Sequence, residues 1–403
     1  MKQTQTKYFS FEDVGLDFCT ASSGLWMNRF EKMLATGYNE QTVSSVSVNN
    51  DATVVFTYAV AHDYAEDRVL KVDSGSLADI NGGEFRIDAV TTNTVTMTID
   101  GAPGTISGGF TTKVAPLGWE KVYENLTQRV HVFKMKSLDE SDLYVRLFYT
   151  PASTVGEIYP CVGNSYDPTT GFINDPNANS YNSNILARIA NTNYLRWMMA
   201  NFTTTTPFSN FTYAQGYSGS YNFGRAMVVG SKYHFGLLNN VQLNDGGQIG
   251  FIVPAHTLDY PTLKLPITGG SNQASGTITN AGLKMYCGNI ELTLLKNSFA
   301  STIRFPIQSV NSYLPSSIDP SEVSVAFSPT YYDVNNLNPI AIGTGAMMIA
   351  GFAGTVAPNR ASTTNPSLMA EADFNHIVLV HGMGVTAHSF YCVFPIEEVK
   401  YVD

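Results

Sequence analysis

The sequence predicts a mainly β, multidomain protein, with a small β-barrel or β-sandwich module near its start, a larger β-sandwich-like domain after it, and few short helices. Apolar and polar residues alternate in short runs, which is typical of half-buried strands. Asn, Asp and Gly clusters separate these runs. Charged residues make up only 14% of the 403 residues, while hydrophobic residues make up 44%. A chain of this length is expected to form two or three domains.

Residues 1–40 form an N-terminal segment whose main feature is a predicted helix. Apolar residues recur at helical spacing from Leu25 to Leu34, and Gly37 ends the pattern as a helix C-terminus prefers. Trp26 and Phe30 lie on the inner face of this helix. We expect the helix to dock through them on a sheet or on a partner, so both are candidate interface residues.

Residues 41–115 are predicted to form the small β module. Asn-Asn-Asp, Asn-Gly-Gly and Asp-Gly turns separate its strands. The predicted strands cover residues 42–48, 52–58, 68–72, 84–90 and 94–99. The Gly- and Thr-rich residues 103–118 indicate a linker or a domain edge.

Residues 116–403 are predicted to form the larger assembly domain. Its strand candidates include residues 128–135, 143–149, 226–230, 234–238, 248–253, 290–295, 323–327, 377–380 and 390–396. A short helix is predicted over Ile185 to Met199. The stretch Tyr159–Phe223, rich in Tyr and Asn, is either a contact surface or a set of loops ordered by neighbours. Tyr217 and Tyr221 are its candidate interface residues.

Charge and cysteine spacing exclude several classes of function. The net charge of −10 and the pI of about 5.2 argue against a nucleic-acid partner, because such proteins need a basic surface. The chain has no apolar run long enough for a membrane span and no signal-peptide pattern at its start. The cysteines are widely spaced, which predicts buried free thiols: Cys19, Cys161, Cys287 and Cys392.

The sequence carries no recognisable catalytic motif. It lacks a P-loop, an H-E-x-x-H motif and a G-x-S-x-G motif. His376, His381 and His388 lie near Glu371 and Asp373, but we interpret the three histidines as separate residues on strands and loops. We assign Asp167 and Asp175 to ordinary turns rather than to a calcium loop. The prediction is therefore a non-enzyme without cofactor or metal.

One segment of the chain resembles a known module. The residues that carry the resemblance are His62-Asp63-Tyr64, Arg68-Val69-Leu70, Leu77, Ile80 to Ile87, Ala89-Val90, Thr94 to Met97, Gly101 and the join Lys113 to Tyr123. The segment is similar to the small β-barrel module of many tailed-bacteriophage virion structural proteins. That module is often likened to the FCCH domain of ubiquitin-activating enzymes, a likeness of shape without ubiquitin chemistry. The resemblance implies a virion location and a scaffold role.

These observations together predict a structural subunit of a bacteriophage virion, made in the host cytoplasm and placed in the tail, neck or baseplate. Low charge indicates a surface that is partly hidden by contacts, so the expected partners are copies of the chain and other virion proteins. A host surface is left open as a further partner. Two alternatives remain: a host receptor- or glycan-binding tail adhesin, motivated by residues 159–223, and a head decoration protein. A depolymerising enzyme would show long β-helix repeats, which we do not find.

Overall fold

The computed structural model describes most of the chain. The described residues are 2–49, 52–75, 79–151, 155–178, 195–201, 226–240, 247–258, 263–271, 283–293, 323–326, 330–336, 338–344, 346–352, 367–372, 376–383, 390–396 and 398–401. Within these ranges the fold is mainly β, as predicted. No helix in this part of the chain is long and apolar enough to cross a membrane.

The first half of the chain contains fourteen described strands and the principal helix. In chain order they are β1 (Lys2–Gln5), β2 (Lys7–Ser10), the helix α1 (Trp26–Glu31) continued by a π-helical turn (Lys32–Thr36), β3 (Tyr38–Val48), β4 (Thr53–Tyr58), β5 (Val69–Asp73), β6 (Glu84–Arg86), β7 (Ala89–Val90), β8 (Thr94–Thr98), β9 (Thr111–Val114), β10 (Glu120–Asn125), β11 (Val130–Lys136), β12 (Asp142–Tyr149), β13 (Val155–Gly163) and β14 (Trp197–Asn201).

The second half contributes fifteen more strands to the described structure. They are β15 (Ala226–Ser231), β16 (His234–Asn240), β17 (Gly247–Val253), β18 (Ala255–Thr257), β19 (Ile267–Ser271), β20 (Leu283–Cys287), β21 (Ile290–Thr293), β22 (Val323–Ala326), β23 (Thr330–Asp333), β24 (Pro339–Gly343), β25 (Met348–Phe352), β26 (Ser367–Ala372), β27 (His376–Met383), β28 (Phe390–Ile396) and β29 (Glu398–Tyr401).

These strands form four sheets of two, five, seven and fifteen strands. The two-stranded sheet pairs β1 with β29, so the first and last described strands lie side by side. The five-stranded sheet is a meander in the order β10-β11-β12-β13-β14. The described pairings are antiparallel except for one contact between β17 and β27. This pattern is the one expected for a chain with alternating strands and short turns.

The seven-stranded sheet corresponds closely to the predicted small module. Its order is β6-β5-β9-β3-β4-β8-β7, and its strands pair with one another. Strand β3 pairs with β9 through its first half and with β4 through its second half, so it joins two parts of a curved sheet. Side chains alternate between inside and outside: Val54, Phe56 and Tyr58 are buried along β4. The division into domains at residues 40 and 115 stays a prediction, because one continuous hydrophobic core includes side chains from all three predicted segments.

The N-terminal segment joins this module to the large sheet. Strand β2 pairs with β15 of the fifteen-stranded sheet, from Lys7 opposite Gly230 to Ser10 opposite Met227. Its Lys7 also pairs with Glu84 of β6 at 2.6 Å. The same strand therefore contacts both sheets.

Residues 103–118 are only partly the linker that the sequence suggested. Thr111–Val114 is strand β9, which lies between β5 and β3 in the seven-stranded sheet. Ala115 and Leu117 are buried, and the backbone of Leu117 donates to Met33 at 2.9 Å. The segment is a packed crossing between the helix and the sheets.

The helix predicted over Ile185 to Met199 is wrong where the structure describes it. Trp197–Asn201 is strand β14, paired with β13. Trp197 lies over Gly250 and Gly270, where an added Cβ would come within 2.4 and 2.7 Å of the indole ring. Its Nε1 donates to the carbonyl of Gly269 at 2.9 Å. Tertiary packing and this hydrogen bond place the tryptophan on a strand.

Candidate functional site: a polar cleft and a cluster of ionisable groups

The candidate interface residues of the helix are packed inside the chain. Trp26 and Phe30 are both 0% exposed. The ring of Phe30 lies 5.8 Å from that of Tyr149 and 6.3 Å from that of Phe235. The sequence left open whether this helix docks on a sheet or on a partner. In the structure it packs on the sheets of its own chain through these two residues. These two side chains present no surface to a second chain.

The other candidate interface residues, Tyr217 and Tyr221, lie outside the described residues. The described start of their stretch is strand β13, in which Tyr159 is buried beside Phe148. At least this beginning of the Tyr- and Asn-rich region is sheet interior.

The Asp and Asn residues near 170 serve as turn residues, as predicted. Asp167 accepts hydrogen bonds from the backbone of Thr169 and the hydroxyl of Thr170, both at 2.8 Å. Asp175 accepts from the backbone of Asn164 at 2.7 Å and of Asn177 at 2.7 Å. Their oxygens fix the loop.

Of the three histidines of the last stretch, His381 is the one whose side chain is described. His381 is buried, and its Nε2 lies 2.8 Å from the carbonyl oxygen of Gln248 on β17. His388 and Asp373 lie outside the described residues. All four cysteines are buried, as the sequence predicted.

A cluster of metal-ligand residue types does occur, at a place that the sequence analysis did not single out. One ligand atom each from Glu31, Glu124 and His131 lies within 4.8 Å of the others. Glu31 ends helix α1, while Glu124 and His131 are directly opposite each other on β10 and β11. His131 Nε2 lies 3.0 Å from Glu124.

Lys121 already supplies the cation in this cluster. Its ammonium lies 2.7 Å from Glu31 and 2.8 Å from Glu124. Burial alone would lower the pKa of Lys121, but its hydrogen bonds to both carboxylates outweigh that effect and raise it. The hydrogen bond from Lys121 lowers the pKa of Glu124. The two carboxylates thus share the ammonium group of one lysine of the same chain.

The histidine of the cluster is also poorly arranged for a metal. Burial lowers the pKa of His131, which favours the neutral ring with its proton on Nε2, facing Glu124. A metal at Nε2 would move that proton to Nδ1. This atom is buried and has no hydrogen-bond partner among the described residues. Metal-bound histidines almost always donate their other N–H to an acceptor. The geometry is that of an ion-pair network.

The described structure contains a cleft of about 380 Å³, which we call the hairpin cleft. One wall is the turn between β11 and β12, and the other is strand β18 with residues 263–266. Strand β18 is at the edge of the fifteen-stranded sheet. The lining residues are Lys136, Ser137, Leu138, Asp139, Leu143, Tyr233, Pro254, Ala255, His256, Thr257, Leu263, Lys264, Leu265 and Pro266.

Ion pairs hold the turn of the hairpin across the cleft. Asp139 pairs with Lys264 at 3.0 Å, and Glu140 pairs with Lys232 at 3.1 Å. Asp139 also accepts hydrogen bonds from the hydroxyls of Ser137 and Ser141. These hydrogen bonds lower the pKa of Asp139, and the bond from Ser137 has the largest effect. The turn is thereby fixed between the five-stranded and fifteen-stranded sheets.

Neither site could be assembled from sequence motifs. The cleft residues come from separate parts of the chain, and their types are common on any surface. His131 lies in the predicted strand 128–135, but nothing in the sequence pairs it with Glu124. Their alignment depends on the register of β10 against β11, which shifts between Lys121 and Tyr123.

Fold and sites together define a mainly β protein, largely antiparallel, whose described residues include a small-molecule-sized cleft. No protein-family model matches the chain, and no curated protein matches it. Among solved structures, it has a remote likeness to the phage phi92 endosialidase, at 8% sequence identity and a TM-score of 0.16. The match covers 90% of this chain and 52% of that one, so the chain spans about half the length of that structure. A likeness this low carries no functional argument.

Proposed function

We propose that the chain is a structural subunit of a bacteriophage virion, in the tail, neck or baseplate, acting through protein–protein assembly and without catalysis. The observation that carries the proposal is the segment from His62 to Tyr123. It resembles the virion β-barrel module in sequence, and it contributes five of the seven strands of one curved sheet, β5 to β9.

The polar groups of this sheet are used to hold structure together. Arg68 makes two hydrogen bonds to Asp13, at 2.7 and 2.8 Å, and Tyr64 donates to the backbone of Thr112 at 2.9 Å. Near the end of the same segment, the Trp119 indole donates to the carbonyl of Ser231 at 3.0 Å. Buried polar groups used in this way fit a scaffold piece.

The low charge of the chain supports assembly as the function. With 14% charged residues, the surface has less charge than soluble domains usually carry, roughly 25%. Contacts with further chains would remove part of that surface from water. Copies of the chain and other virion proteins are the proposed partners.

Measurement of mass in solution tests the proposal. We expect the purified protein to form a symmetric oligomer by light scattering, and electron microscopy to show an interface above roughly 1,000 Å². Replacing Tyr217 and Tyr221 together by Asp should weaken assembly, because a buried carboxylate without a partner is costly. Thr92→Asp, in an exposed turn, is the matched control. A chain that stays monomeric at high concentration would overturn the proposal.

The absence of catalysis is tested separately. We expect no turnover of bacterial polysaccharide or peptidoglycan by the purified protein. Turnover that disappears when a carboxylate is substituted would contradict a purely structural role. Localisation of the chain within a particle would also separate a tail, neck or baseplate position from an adhesin or a head decoration protein.

A further inference from the structure

The inner wall of the hairpin cleft is apolar. Leu143, Leu263 and Leu265 are at most 6% exposed, and Pro254 and Pro266 complete this surface. A ligand that only formed hydrogen bonds would leave this wall without contacts. The cleft therefore favours a ligand with an apolar face.

The rim of the cleft is polar but has no free excess of charge. Lys136 pairs with Asp142 at 2.6 Å, Lys264 with Asp139 at 3.0 Å, and Lys232 with Glu140 at 3.1 Å. Three cations face three carboxylates, each pair within the chain. Because the three pairs together carry no net charge, a charged ligand gains no net electrostatic attraction at this rim.

The rim also offers many hydrogen-bonding groups at short spacing. Ser137, Asp139, His256 and Lys264 present hydroxyl, carboxylate, imidazole and ammonium groups beside the apolar wall. Tyr233 adds an aromatic ring, with the Lys232 ammonium 4.6 Å from its centroid. Charged groups form stronger hydrogen bonds to a neutral hydroxyl than neutral groups do.

A pyranose ring has this combination of properties, since its C–H faces are apolar and its hydroxyl edges donate and accept hydrogen bonds. The volume of about 380 Å³ lies at the lower end of the roughly 300–1,000 Å³ usual for small-molecule sites. We propose that the hairpin cleft is a binding site for a neutral saccharide. The site does not require assembly, and it lies outside the stretch 159–223 that first suggested glycan binding.

Ligand-observed NMR with defined trisaccharides tests this site. The neutral probes are maltotriose, cellotriose and triacetylchitotriose, and the acidic probes are trigalacturonate and 3′-sialyllactose. We expect saturation transfer to at least one neutral probe and none to the acidic probes. No transfer to any neutral probe, or preferential transfer to an acidic one, would overturn the proposal.

Two variants locate the binding. Tyr233→Ala removes the ring at the rim and should weaken binding of the neutral probe roughly tenfold, the upper range for one aromatic contact. Asp139→Asn keeps the shape of the turn but unpairs Lys264, so transfer to an acidic probe should appear. Leu126→Ala is the control, because Leu126 is 67% exposed in the turn before β11, at the far end of that strand from the cleft.

Circular dichroism and thermal melting first establish that both variants are folded. Undiminished binding in Tyr233→Ala would show that the sugar binds elsewhere. Unchanged rejection of acidic probes by Asp139→Asn would show that charge balance does not select the ligand. Either result overturns the assignment, and neither bears on the oligomeric state used to test the proposed function.

Discussion

Two Arg–Asp ion pairs differ in burial, and they should therefore differ in how much they stabilise the fold. Arg68 and Asp13 are 7% and 9% exposed, with a bidentate contact and the Tyr8 ring 4.1 Å from the guanidinium carbon. Arg86 and Asp67 are 25% and 29% exposed. Burial alone would lower the pKa of Arg68, but the charge of Asp13 and its hydrogen bonds outweigh it and raise the pKa. Loss of the Asp13 carboxylate would leave the positive charge of Arg68 in the interior without its partner.

We predict that Asp13→Asn lowers the free energy of unfolding by about 3 kcal/mol, since breaking a buried pair leaves its partner uncompensated. Asp67→Asn should cost below about 1 kcal/mol, as for other partly exposed pairs. Urea unfolding followed by fluorescence measures both. Similar losses in the two variants would show that burial does not set the strength of the Arg68 pair.

His234 should make stability depend on pH. Its ring is buried, and burial lowers its pKa from 6.5 to about 4. As pH falls below 6.5, the unfolded chain gains a proton that the folded chain does not take up. The contribution of His234 is therefore complete above that pH and is lost progressively toward pH 4.

Between pH 7 and pH 5 we expect the wild type to lose about 2 kcal/mol more stability than His234→Gln does, from a shift of this size. His256→Gln, at an exposed position on β18, is the control for replacing a histidine outside the core. Unfolding at the two pH values gives the comparison. Parallel losses in wild type and His234→Gln would contradict the assignment.

At the scale of elements, the end of the helix depends on Gly37. Its φ of +76° and ψ of 179° lie in a region that is essentially restricted to glycine. An added Cβ would also lie 2.5 Å from the carbonyl oxygen of Val114. The helix, the π-helical turn and β9 meet at this residue.

We predict that Gly37→Ala destabilises the protein by about 1–3 kcal/mol through backbone strain, with the clash in addition. Gly104→Ala is the matched control, because an added Cβ at Gly104 meets no atom within 4 Å. Thermal melting distinguishes them. An unchanged melting temperature for Gly37→Ala would mean that the backbone can rearrange there.

The elements of residues 38–114 were well predicted because each strand alternates and ends at a turn. The predicted runs 52–58 and 94–99 correspond to Thr53–Tyr58 and Thr94–Thr98. Strand β9 was missed because its neighbours are Gly- and Thr-rich. Trp197 was assigned to a helix because apolar spacing cannot show the pairing with β13.

Neither candidate site has a signal of this local kind. The cleft arises where the turn after β11 meets β18, and only the sheet order brings these elements together. Lys121 could be recognised as the cation of the Glu31, Glu124 and His131 cluster only after the helix had been placed beside β10. Sites built from long-range contacts therefore require the three-dimensional structure.

On the scale of the whole molecule, the N-terminal strands bind parts of the chain that are far away in sequence. Strand β2 is buried and pairs with β15, whereas β1 pairs with β29 in a separate two-stranded sheet. Loss of β2 should open an edge of the large sheet and remove Phe9 from the core. Loss of β1 should leave the large sheet complete.

We predict that deletion of residues 1–10 greatly lowers the melting temperature or prevents folding, while deletion of residues 1–6 has a small effect. Fully burying a side chain such as Phe9 contributes roughly 1.5–3 kcal/mol. Strand β2 buries the aromatic rings of Tyr8 and Phe9. Differential scanning fluorimetry measures both truncations. A large loss on deletion of residues 1–6 alone would show that β1 carries the stability instead.

The pairing of β2 with β15 also has a consequence for synthesis on the ribosome. Met227, opposite Ser10, is translated long after Ser10 has left the exit tunnel. The seven-stranded sheet needs nothing beyond Val114 for its pairings and can form early, because local contacts close quickly. Strand β2, with the aromatic rings of Tyr8 and Phe9, must remain without its partner β15 throughout that interval. Nascent chains of this protein should therefore depend on chaperones that shield an exposed N-terminal strand until β15 emerges.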